Sequence, residues 1–207
     1  MVAVDPQRQK LVRQAFRLEW LSVGWMAVEA AVAVASGIAA NSVTLIAFGL
    51  DSVIELASAG VLIRRLSLEL RFGHEVSEAA EKMARRIAGG LLFALAAYVV
   101  VAAGWSLWRG EGEAFSLPGL AVALLSIPIM FVLARRKLAL ADRLGSAALR
   151  ADAAESVACL WLSLVVVVGL IAQLAFGAWW IDAVTSLAIV WFLVKEGREA
   201  WEAEEDD

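Results

Sequence analysis

Six long apolar stretches, at residues 20–39, 42–63, 87–108, 117–133, 153–174 and 179–194, alternate along this chain with short segments that hold nearly all of its charge. A bilayer core about 30 Å thick takes about 20 helical residues to cross, so the stretches predict six transmembrane helices. With no water at that depth, a helix is the form in which each segment satisfies its own backbone groups. The expected fold class is therefore all-α, a polytopic membrane protein. Composition agrees: 61% of the 207 residues are hydrophobic and the mean hydropathy of +0.75 lies outside the range of soluble domains. The first stretch is too long for the apolar core of a cleaved signal peptide and contains Glu29, which argues for a retained span.

Charge then sets the orientation. All of the Lys and Arg except Arg109 fall in the N-terminal arm, in the segments 64–86 and 135–150, or near the C-terminal end. Basic residues accumulate on the cytoplasmic side, so both termini are expected there. Trp105, Trp108, Trp179 and Trp180 then mark the outer interface, and Trp20 and Trp201 the inner one. The formal charge of −4 sums a basic inner surface with an acidic tail and gives no nucleic-acid footprint. A single transmembrane domain is expected over 1–207, with a short arm at 1–19, a solvated tail at 195–207 and no cytoplasmic C-terminal domain. The segment 64–86 is expected to carry some helix, because its acids and bases alternate at helical spacing.

Polar steps inside the apolar stretches carry the chemistry. Asp51 and Glu55 stand four apart in the second stretch, and Glu155 and Cys159 four apart in the fifth, which puts each pair on one helix face about 6 Å apart. With Glu29, four acids lie at depth; charged and alone they would together cost on the order of 10 kcal/mol, as much as a whole domain's stability. Protons could neutralise them. So could a divalent cation, which would also draw in the Cys159 sulfur as thiolate. The second and fifth helices run in opposite directions, so Asp51 is expected to face Cys159 and Glu55 to face Glu155, about one turn out of level. Small residues beside both pairs, Gly49, Ser52 and Ser58 on one helix and Ala151, Ala154 and Ser156 on the other, would let the backbones approach.

These residues also carry a resemblance. The stretch SVTLIAFGLDSVIE at 42–55, Phe72-Gly73-His74 with Glu78, Arg150-Ala151-Asp152 opening the fifth helix and Ile181-Asp182-Ala183 opening the sixth together resemble the cation diffusion facilitators. The resemblance implies a six-helix exporter of divalent metal, usually zinc, that exchanges cytosolic metal for protons by alternating access, commonly as a homodimer. It places the transport site on Asp51, Glu55, Glu155 and Cys159. Where the family's fifth helix usually offers His and Asp, or two Asp, this chain offers Glu and Cys. The chain is similar to the subgroup without the cytoplasmic C-terminal domain, in which any dimer must rest on membrane helices.

Three carboxylates and one thiolate suit tetrahedral zinc and would accept cadmium, cobalt or iron. The metal is cargo, and no permanently bound cofactor is expected; the partners are the ion, protons and the lipid of a bacterial inner membrane. Glu29, His74 and Asp152 are the candidates for an accessory metal site or proton relay. Each also has a plainer reading: Glu29 as a protonated acid bonded to a neighbouring helix, His74 as a solvated side chain, Asp152 as an acid complementing a helix N-terminus. Pro128 is expected to kink the fourth helix. Two other functions compete, a proton-coupled carrier for an organic cation and a non-transporting membrane scaffold, but the scaffold gives no reason for the four polar residues to align. An intramembrane aspartyl protease is excluded, because Phe48-Gly49-Leu50 precedes Asp51 and a second deep Asp is missing. No enzyme is expected.

Overall fold

The computed structural model describes residues 6–72, 78–110 and 113–202. Six helices follow one another: α1 (Pro6–Ala40), α2 (Val43–Phe72), α3 (Glu78–Arg109), α4 (Leu117–Leu144), α5 (Ala147–Phe176) and α6 (Ile181–Glu202). No strand occurs among the described residues. The chain is a polytopic all-α membrane protein. Among the described residues five helices, α1 to α5, are long and apolar enough to cross a membrane. The apolar stretch of α6 is bounded by Asp182 and Lys195 and falls short of that measure.

The helices outrun the apolar stretches that predicted them. The arm expected at 1–19 is helical from Pro6, the segment 135–150 is the end of α4 and the start of α5, and the tail expected from 195 continues α6 to Glu202. The reason is local: charged Lys, Arg and Glu are good helix formers, so leaving the apolar region does not end a helix. What ends one is a cap. α4 closes on Gly145, whose φ of 64° suits a residue without Cβ, and Ser146 then caps α5 by accepting from the Leu149 amide at 3.3 Å. Of the segment 64–86, α2 takes residues up to Phe72 and α3 those from Glu78. Residues 73–77, and His74 with them, lie outside the described residues.

The helices pair most closely as α1 with α2, α3 with α6 and α4 with α5, and α2 also touches α3, α5 and α6. α2 is thus central, so its polar residues are the ones most surrounded by protein. The main core gathers Leu45, Phe48, Val99, Met130, Leu162, Ile189 and Leu193, while Val12, Ala15, Leu62, Leu66, Ala141, Leu144 and Leu149 form a second cluster toward the end where the termini lie. Gly49 makes the α1–α2 approach feasible, since a Cβ there would sit 2.8 Å from the Val34 amide nitrogen. Large apolar side chains such as Val101, Val168 and Trp191 point outward, as a lipid-facing surface requires. α4 runs unbroken through Pro128.

At the distal end, opposite the termini, Asp182 of α6 caps α2. Its carboxylate accepts from the Ser42 hydroxyl at 2.6 Å, the Val43 amide at 2.7 Å and the Thr44 amide at 3.2 Å, and its own carbonyl accepts from the Thr44 hydroxyl at 3.0 Å. An anion set against the first amides of a helix satisfies donors that the helix itself leaves open.

Candidate metal centre

Asp51 and Glu55 follow Phe48 on the buried side of α2, one turn apart, and both are enclosed. None of their four carboxylate oxygens has a hydrogen-bond partner. That is unusual, because a buried polar group normally finds one and pays a large desolvation cost without it. Across from them α5 presents Cys159, fully buried, and Glu155, half-buried, which accepts a hydrogen bond from Ser58 of α2. Glu55 lies within electrostatic reach of Asp51, Glu29, Glu155 and Glu196, and Cys159 within reach of Glu55, Glu29 and Asp51.

The two ligand pairs therefore share one region of the bundle without closing on a point. Among the described residues, no three His, Cys, Asp or Glu side chains stand close enough together to grip one ion. The small residues play different parts from those expected. Gly49 packs against Val34, and Ser52 hydrogen bonds to Glu29, so both serve the α1 side of α2; Ser58 is the one that reaches α5.

Glu29 sits at the junction of four helices. Its Oε1 accepts from the Ser52 hydroxyl of α2 at 2.6 Å and lies 3.4 Å from the Cys159 sulfur of α5. Its Oε2 accepts from Trp25 Nε1 of α1 at 3.1 Å and from the Ser126 hydroxyl of α4. So Glu29 is fully hydrogen bonded, in contrast to the two acids of α2, and it holds the Cys159 thiol in place.

Asp152 has a partner too. Its carboxylate stands 2.5 Å from the Lys137 ammonium of α4, which is also 3.2 Å from the Glu19 carboxylate of α1. The segment 135–150 had placed Lys137 among solvated basic residues; instead it is buried with 1% of its side chain exposed, because α4 continues past the apolar stretch and turns this position inward.

Lys137 and Glu19 were missed for that reason, yet the signal was available. Lys137 falls on the buried stripe Met130, Leu133, Ala134, Lys137, Ala141, Leu144, and Glu19 on the stripe Val12, Ala15, Glu19, Ser22, Met26. Glu196 was missed likewise. It was assigned to the solvated tail but belongs to α6, where one carboxylate oxygen is buried without a partner and its charge is felt by Glu55.

The region thus holds Glu29, Asp51, Glu55, Glu155 and Glu196 from four helices, the first three within electrostatic reach of the Cys159 thiol, with Lys137 a cation whose field reaches Glu155. Such a set attracts cations, since a metal ion or a proton would bring the positive charge that unpartnered acids lack. A family model of the cation efflux transmembrane domain matches residues 20–203, a range that contains all of these acids and Cys159. Among curated proteins none matches the chain.

Proposed function

The chain belongs to the cation efflux family, the cation diffusion facilitators, and from that premise we propose that it exports zinc from the cytosol in exchange for protons, through a site made of Asp51, Glu55, Glu155 and Cys159. As a family member it is an integral membrane transporter of metal cations and not an enzyme. Zinc, the proton coupling and the four ligands are the finer reading, and so are its placement in a bacterial inner membrane and its assembly as a homodimer.

The observation that carries this reading is the set of four buried, partnerless oxygens on Asp51 and Glu55. Two carboxylates one turn apart, with an acid and a thiol on the facing helix, form a mixed hard and soft donor set that suits zinc and tolerates cadmium, cobalt or iron. An ion bound between α2 and α5 would neutralise Asp51 and Glu55, whose carboxylate oxygens have no hydrogen-bond partner. Alternating access supplies the needed motion, since the ligands converge on an ion only when α5 closes on α2. A metal arriving at Cys159 must release its proton, and acids vacated by the metal can take protons back, which couples the two fluxes at one place.

Titration calorimetry of the purified protein with Zn2+ or Cd2+ tests the site. The native chain is expected to bind about one ion per chain, and Asp51→Ala to lose at least about a hundredfold in affinity, roughly 2.7 kcal/mol. Unchanged affinity in Asp51→Ala would remove Asp51 from the ligand set and the reading with it.

A further inference from the structure

Glu19, Lys137 and Asp152 come from three helices, α1, α4 and α5, and meet inside the bundle at the end where the termini lie. We infer that the carboxylates of Glu19 and Asp152 form a second divalent-cation site on the path from that end to Asp51 and Glu155, held closed by the Lys137 ammonium, which an arriving ion displaces. This rests on the reading of Asp51, Glu55, Glu155 and Cys159 as the transport site.

Stoichiometry is the first argument. Two carboxyl groups share one ammonium, so with both ionised the group would carry a net negative charge in a place from which water is largely excluded; Glu19 is fully buried and Lys137 1% exposed. Glu19 keeps an oxygen, Oε1, with no hydrogen-bond partner. A lysine is a compact point charge with three donors, while two carboxylates offer four oxygens. The pocket therefore accepts more positive charge than its resident cation brings. A doubly charged ion neutralises both acids at once, whereas a monovalent ion brings no more charge than the tethered ammonium and gains nothing by replacing it. The lysine acts as a filter on valence.

Position is the second argument. Asp152 precedes Glu155 by three residues on α5, so the two acids lie on neighbouring turns of one face, Asp152 nearer the terminal end. Lys137 already lies within electrostatic reach of Glu155. An ion that takes Asp152 from Lys137 has one turn to travel to the next carboxylate.

Energetics is the third. A buried ion triad is seldom kept for stability alone, since apolar residues of similar size are commonly as stabilising or more so. Here α1 and α5 both pack closely against α4, and at this end Lys137 is what joins their acids. A joint made of one ammonium opens when that ammonium is outcompeted, and it leaves the apolar packing of Val12, Ala15 and Ala141 nearby intact.

Two variants test the inference on the full chain, with Cd2+ as the probe. Lys137→Met leaves both acids without their cation, and the number of Cd2+ ions bound tightly enough for calorimetry to count is expected to rise from about one to about two per chain, returning to one in Lys137→Met/Asp152→Asn. Folded Lys137→Met that still binds one ion overturns the proposal. Should that variant not fold, Asp152→Asn keeps the Lys137–Glu19 pair and decides the matter in proteoliposomes. Loss of an access site should raise the KM for Cd2+ by about tenfold with kcat held, whereas a purely structural role would lower kcat and leave KM unchanged; the second pattern overturns the proposal. Asp51→Ala, run alongside, separates the two readings: if it binds and transports like the native chain the transport-site assignment has failed, and if it fails while Asp152→Asn leaves KM unchanged only the access site has.

Discussion

Two groups of buried acids lie one above the other in this bundle, and they are neutralised in opposite ways. At the terminal end, Glu19 and Asp152 are held by Lys137, a cation that the chain carries itself. Deeper in, Asp51 and Glu55 hold no hydrogen bond at all. The two groups face similar desolvation costs, so the contrast is one of purpose: a built-in cation fixes structure until something stronger arrives, and its absence keeps a site available to a cation from solution. Glu29 lies between these cases, an acid satisfied by neutral donors, Ser52, Ser126 and Trp25, which position it without filling it with charge.

The contrast can be broken at either end. The largest effect is expected from Lys137→Met in metal-free protein. Removing the one cation of a buried triad leaves two acids facing each other, and comparable changes cost about 3–5 kcal/mol. A thermal or denaturant midpoint close to that of the native chain would show that the triad is already hydrated or protonated and that the two regions do not differ in the way described.

A middle-sized effect belongs to the soft ligand. Cys159→Asp turns a mixed donor set into one of oxygens alone, and the ratio of Cd2+ to Mn2+ affinity is expected to fall by about tenfold, roughly 1.4 kcal/mol. Calorimetry that finds the native ratio would make Cys159 a packing residue held by Glu29.

The smallest effect on stability, and the one with the opposite sign, is expected from Glu55→Gln. It removes a buried charge that has no partner, so the metal-free protein is expected to be as stable as the native chain or more so, by about 1 kcal/mol. Metal flux driven by a pH gradient in proteoliposomes should fall sharply at the same time. A loss of stability would mean that Glu55 has a structural partner, and flux with native rate and pH dependence would move proton exchange to Glu29.

Much of this was legible in the sequence because the bilayer imposes a length and a polarity on whatever crosses it. The helices at 42–63 and 87–108 are read from apolar runs alone, and Asp51, Glu55, Glu155 and Cys159 from the rarity of such groups within them. What the apolar runs hide is where helices stop. α1, α4 and α6 all continue past their apolar stretches, and the polar residues that matter there, Glu19, Lys137 and Glu196, look like ordinary solvated charges when counted by segment. Counted by helical period they fall on buried stripes, so the helical period identifies them where hydropathy cannot. Partnering is a further step away. That Asp152 belongs to Lys137, and Glu29 to Ser52, Ser126 and Trp25, depends on how α1, α4 and α5 lie against each other, which spacing within one helix does not encode.

Asp182 has a mechanical side. Its four contacts rivet the first turn of α2 to the start of α6 at the distal end, whereas among the described residues both Glu55 oxygens and Glu196 Oε1 are buried without a hydrogen-bond partner. If α2 tilts, such a joint is where it would pivot. From Ser42 to Glu55 the lever arm is roughly 20 Å at 1.5 Å per residue, so a tilt of about 10° about the fulcrum sweeps Glu55 through roughly 3 Å, more than the spread of metal–ligand bond lengths, while leaving the riveted turn nearly still.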